Sequence, residues 1–110
     1  MLYTLTDAAK IIIKDKSLPE DKGKSEYRIF KENMIENGIF EEFKDYNIPS
    51  YKGKSKVRLT NEFKEAYPIE ANKYFKEIGH ENFGYQLKMT EEGVQKFYDF
   101  ILKELEKELF

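Results

Sequence analysis

The sequence predicts an α+β fold, mostly helical with a small antiparallel sheet. Apolar side chains recur at helical spacing in residues 25–37 and again from Val94 to Leu109. Phe83, Tyr85, Leu87 and Met89 alternate with Gly84, Gln86 and Lys88, the period of a strand with one buried face. Nine Phe and eight Tyr supply a core in a chain with no Cys. Each fully buried aromatic of this kind contributes roughly 1.5–3 kcal/mol, so disulfides are not needed. The 110 residues fit one domain spanning residues 1–110.

Leu2 to Leu5 reads as a short strand, followed by a helix from Thr6. Thr6 is its expected N-cap, Asp7 suits the positive end of the helix dipole, and Ala8, Ala9, Ile12 and Ile13 form its apolar stripe. Residues 15–24 contain Pro19 and Gly23 and read as a loop. Ser25 caps a second helix whose apolar face is Tyr27, Phe30 and Met34. Asn37-Gly38 ends it, with Gly38 in the left-handed position that follows a helix and Ile39 as the apolar residue beyond.

Residues 40–50 carry no decisive pattern, except that Pro49 makes Ile48 extended. Lys56-Val57-Arg58-Leu59 alternates as a strand does. Residues 61–78 are helical in character, with Ala71, Tyr74, Phe75 and Ile78 on one face and Gly79 as the stop. Pro68 predicts two helical pieces meeting at that point. Thr90 caps the last helix, whose stripe of Val94, Phe97, Ile101, Leu105 and Leu109 is joined by Tyr98 and Leu102.

Composition narrows the function classes. The absence of Cys removes disulfides and thiolate metal sites and fits a reducing compartment. His80 is the only histidine and lies in an expected turn, where an exposed residue is far commoner than a catalytic base. Ser17, Ser25, Ser50 and Ser55 lack a nucleophile-elbow pattern. Gly-Lys-Ser occurs twice, at residues 23–25 and 53–55. A phosphate-binding loop needs a further glycine where Leu18 and Ile48 stand. No catalytic residue, metal site or cofactor is expected. Neither a leader nor a membrane span is visible, because the longest fully apolar run is Ile11 to Ile13. The expected setting is the cytoplasm of a bacterial host cell.

The net charge is −2, yet residues 46–61 contain Lys52, Lys54, Lys56 and Arg58 and no acid. Lys52-Gly53-Lys54 reads as the tip of a basic hairpin. The low pI, about 5.6, argues against a broad sequence-independent grip on nucleic acid.

A capped Ala-Ala helix, a turn, a Ser-capped helix, a basic extended stretch and a Thr-x-x-Gly helix together resemble a winged helix-turn-helix. More narrowly, the chain is similar to the C-terminal domain of phage antirepressors, the KilA-C type. The similarity rests on residues 5–11 (Leu-Thr-Asp-Ala-Ala-Lys-Ile), Phe30, Gly38-Ile39, Asn47-Ile48-Pro49, Thr90, Gly93 and Phe97. The turn between the first two helices is longer here, and residues 61–84 have no clear counterpart.

The resemblance implies a small phage or mobile-element regulator that acts on double-stranded DNA or on a protein. On DNA, Lys52, Lys54, Lys56 and Arg58 would meet phosphates from the wing, while Lys24, Ser25, Arg28 and Lys31 would approach the groove. Four neutralised phosphates predict a log–log salt slope of roughly −3.6. Glu32 and Glu36 stand on the same outward helix face as Arg28 and oppose this reading, since phosphates repel them. The alternative is an acidic surface on a protein partner, as for an antirepressor or a phage-encoded inhibitor of host defence (anti-CRISPR-like). Tyr46, Tyr51 and Phe110 are candidate contacts for such a partner. Leu109 and Phe110 further suggest a homodimer through the last helix.

Overall fold

A computed structural model describes residues 1–46 and 55–104. The element order is β1 (Leu2–Thr4), α1 (Leu5–Asp15), α2 (Glu26–Glu36), β2 (Phe40–Lys44), β3 (Ser55–Leu59), α3 (Asn61–Ala66), α4 (Pro68–Tyr74), β4 (Phe75–His80), β5 (Gly84–Thr90) and α5 (Glu91–Glu104). The fold is α+β. One antiparallel sheet has the order β1-β5-β4, and β2 and β3 form a separate antiparallel pair.

A helix pair followed by an antiparallel strand pair occurs twice, as α1-α2-β2-β3 and as α3-α4-β4-β5. Each round ends on a threonine that works in two directions. The Thr60 hydroxyl accepts from Phe63 N–H at 3.1 Å, capping α3, and donates to the Gly38 carbonyl just beyond α2 at 2.7 Å. The Thr90 hydroxyl accepts from Gly93 N–H at 2.9 Å and donates to the Lys73 carbonyl in α4 at 2.7 Å. One side chain thus satisfies an orphan donor at the start of a helix and an orphan acceptor near the end of an earlier one. Thr60 is the one buried polar residue among those described.

The helix ends follow local chemistry. At the end of α2, Gly38 adopts φ +78°, and Gly38 N–H and Ile39 N–H donate to Ile35 and Met34 carbonyls. This is the expected left-handed termination. The end of α1 has the same hydrogen-bond pattern, from Ser17 and Leu18 to Lys14 and Ile13, but there Ser17 holds φ +52°. Ser25 caps α2 by accepting from Arg28 N–H at 3.1 Å. Pro68 begins α4 directly after α3 ends, as its missing N–H and fixed φ dictate.

Four expectations are corrected. The cap of α1 is Thr4, which accepts from Asp7 N–H at 3.1 Å, and the helix starts at Leu5. Thr4 ends β1 with extended backbone, and that geometry lets its hydroxyl reach the first turn; Thr6 lies within the helix. Residues 75–78 are strand instead of helix, because pairing with β5 (Phe75 opposite Met89) outweighs their helical spacing. On α2, Ile29 is buried and Tyr27 only half-buried. In α5, Phe100 is buried while Leu102 is exposed. Leu105, Leu109 and Phe110 fall outside the described residues.

One core serves both rounds. Phe30 (α2), Phe40 (β2), Phe75 (β4) and Phe97 (α5) form a chain of edge-to-face rings with centroid separations of 5.8, 5.8 and 4.9 Å. All four are essentially inaccessible. This is the preferred geometry of aromatic quadrupoles, and it links the two strand sets through side chains alone.

Candidate interaction surface

The sequence nominated eight side chains, and six of them lie in the described residues. Lys52 and Lys54 fall outside. Lys24, Ser25 and Arg28 gather at the start of α2 because the Ser25 cap fixes where that helix begins, and Lys31 lies at mid-helix. Lys56 and Arg58 project from β3, directly opposite Phe43 and Glu41 of β2.

The α2 cations converge on one carboxylate. Glu32 accepts from Lys24 Nζ at 3.0 Å and from Arg28 Nε at 3.0 Å. Lys24 also stands 3.7 Å from Asp21. The hydrogen bonds from Lys24 and then Arg28 hold the Glu32 carboxyl below its usual range. Lys31 Nζ lies over the Tyr27 ring at 5.6 Å, a weak attraction at an exposed site. The Ser25 hydroxyl is engaged by the cap itself.

Arg58 is similarly occupied. Its Nε donates to Glu41 at 2.9 Å, and its guanidinium lies 4.6 Å from the Phe43 ring centroid. Phe43 in turn meets Tyr85 edge-to-face at 5.3 Å. The Tyr85 hydroxyl is buried without a well-aligned hydrogen-bond partner. Burial, followed by the nearby Glu77 carboxylate, pushes its phenol far above the ordinary value.

Lys56 faces inward. Its side chain and that of Asp45 are each 11% exposed, with Nζ and Oδ2 3.3 Å apart. Lys56 also donates to the Tyr85 carbonyl at 3.1 Å and to the Phe83 carbonyl, while Asp45 accepts from Tyr85 N–H at 3.3 Å. Pairing of β1 with β5 stops at Thr4 opposite Lys88. Beyond that point, the ion pair offers Tyr85 the donor and the acceptor that another strand would have offered. Lys56 therefore ties the β2–β3 pair to β5, and its ammonium does not face solvent phosphates.

This bond also brings the outer end of β2 to the β4–β5 turn. Tyr46 (72% exposed) and Phe83 (47% exposed) project there. His80 holds the turn, its Nδ1 accepting from Asn82 and Phe83 N–H at 3.0 and 3.2 Å, with its ring 4.7 Å from Phe83. The sequence offers Tyr46 as a contact and places Tyr85 on a half-buried strand, but gives no signal for Asp45 or Phe43. Asp45 follows the last residue of β2 and Lys56 lies in β3, eleven positions away, so only knowledge of the strand register could join them.

The described residues contain no grouping of three or more His, Asp or Glu that could hold a metal. No helix among them is long and apolar enough to cross a membrane. The fold defines a small α+β domain with a mixed-charge surface. Comparison with protein-family models, curated proteins and solved structures found no match.

Proposed function

We propose that this chain is a small phage or mobile-element interaction module of winged-helix type, acting as a regulator by binding a protein partner. The observation that carries the reading is the internal pairing of four of the nominated cations among the described residues. Lys24 and Arg28 are paired with Glu32, Arg58 with Glu41 and Lys56 with Asp45. A phosphate-tracking face needs cations that release counterions on binding, and a cation already matched by a carboxylate brings little net positive potential. Tyr46 and Phe83 supply the exposed aromatic surface that protein interfaces favour. The partner is either a repressor-type regulator, in antirepressor fashion, or a host defence protein that the chain inhibits.

A second reading, double-stranded DNA as partner, is favoured by the helix–helix–strand-pair order and by Lys24, Ser25, Arg28 and Lys31 on and just before one helix. Nuclease-treated bacterial lysate passed over the immobilised chain separates the two. The proposal expects one specific protein to be retained, and to be lost when Tyr46 and Phe83 are both changed to Ala. Retention that disappears on nuclease treatment would overturn it in favour of nucleic acid.

A further inference from the structure

We infer that the outer edge of β4 pairs with β4 of a second copy of this chain, antiparallel about a two-fold axis at Ile78. The inference does not rest on the partner proposed above, and it uses a surface other than the last helix. β4 ends the β1-β5-β4 sheet and has β5 on one side only. Tyr85 fixes which of its backbone groups face outward. The Tyr85 N–H and carbonyl go to Asp45 and Lys56, on the side of β5 away from β4. Bonded and non-bonded pairs alternate along an antiparallel ladder, so Gly79 opposite Tyr85 and Glu77 opposite Leu87 make no bond to β5. Their N–H and carbonyl groups point to the outer edge instead. Phe75 keeps the same phase, its N–H donating to the Ala71 carbonyl.

This edge is open, and its charges are held back. Glu77 and Gly79 are exposed, and a Cβ on Gly79 would meet nothing within 4 Å. Charged side chains commonly guard a sheet edge against pairing. Here Lys76 Nζ donates to the Asn72 carbonyl of its own chain at 3.0 Å, and Glu77 stands 3.5 Å from Lys64 Nζ. Register then selects a second copy as the occupant, because a two-fold contact needs a self-complementary strand. An axis at Lys76 or Glu77 would set that charge against its own copy, and an axis at Gly79 would set Glu77 against Glu81. An axis at Ile78 sets Glu77 opposite Gly79 and Lys76 opposite His80, with no like charges facing. The outward groups of Glu77 and Gly79 then bond one another, and Gly79 leaves room for the Glu77 side chain. Ile78 is half-buried on the face opposite buried Phe75, and the axis brings its two copies together as a close non-bonded pair. A contact this short is weak and concentration-dependent.

The chain has no cysteine, so a single introduced one reports the axis directly. Cα atoms of a non-bonded antiparallel pair lie about 4.5 Å apart, within reach of a disulfide. Under mild oxidation, Ile78→Cys should form a disulfide-linked dimer at least about tenfold faster than Lys76→Cys or His80→Cys, which the axis does not set against their own copies. In the parent chain, labelled with nitrogen-15, raising the concentration should shift the amides of residues 76–80 and leave those of α5 in place. Ile78→Lys, which puts an ammonium from each copy on the axis, should abolish those shifts, while its amide spectrum verifies the fold. Equal crosslinking of the three cysteine variants, or none by folded Ile78→Cys, would overturn the assignment. So would amide shifts that ignore concentration, shifts centred elsewhere, or undiminished shifts in folded Ile78→Lys.

Discussion

Lys56 and Asp45 form a nearly buried ion pair, 3.3 Å apart, that closes the open edge of β5 by bonding Tyr85 at both its N–H and its carbonyl. A lysine that the sequence places on a basic hairpin is thereby a joint between two sheets. Removing one partner leaves the other charge buried without compensation, which is the costly case for an internal ion pair.

The Lys56→Met variant should lose about 3 kcal/mol of stability in urea denaturation. Lys56→Met combined with Asp45→Leu should lose less than Lys56→Met alone, since no orphan charge remains. A single-variant loss no larger than that of Lys44→Met, at an exposed site, would show that the joint does not hold the sheets together.

The Thr-x-x-Gly step has a packing reason. A Cβ on Gly93 would stand 2.3 Å from the Tyr74 carbonyl oxygen, so backbone must move to accept it. Gly93→Ala should cost about 2–4 kcal/mol by thermal or chemical unfolding. Gly79→Ala, where a Cβ meets nothing within 4 Å, should stay within about 0.5 kcal/mol of the parent.

Ser17 occupies the left-handed position after α1 with φ +52°, a conformation that favours glycine. Ser17→Gly should stabilise the chain by about 0.5–1 kcal/mol, seen as a higher urea midpoint at unchanged slope. A lower midpoint would contradict the left-handed termination of α1.

Acid sensitivity should include a component from Glu32. Its folded-state pKa is depressed by Lys24 and Arg28, so its contribution is present above the unfolded-state value and is lost as pH falls through the folded value. Glu32→Gln should therefore reduce the pH dependence of stability below about pH 4.5, the ordinary Glu value, and lower stability slightly at neutral pH. Identical acid limbs for the two proteins would remove Glu32 from the account. The site is exposed, so the effect is small and weakens with salt.

Much of the fold was legible because it is written in local signals. Ser25, Gly38, Pro68 and Thr90 each act within one helical turn, and the structure uses all four as caps or stops. Phe75 to Ile78 was misread because strand pairing is a long-range term that a helical spacing cannot reveal. The surface was the least legible part. The Arg28–Glu32 pair is legible as an i, i+4 contact, but the carboxylate partners of Lys24, Lys56 and Arg58 lie 8, 11 and 17 positions away. Charge runs in a sequence say how many cations there are, and only the fold says how many remain unmatched.

We propose that the cations left without a carboxylate among the described residues are too few for duplex phosphate recognition. Fluorescence anisotropy of a labelled duplex, titrated with the chain at several salt concentrations, tests it most directly. The account predicts no saturable binding at physiological salt and only weak, sequence-independent binding at low salt. Saturable binding at physiological salt with a log–log slope near about −3.6, the value for four neutralised phosphates, would contradict it.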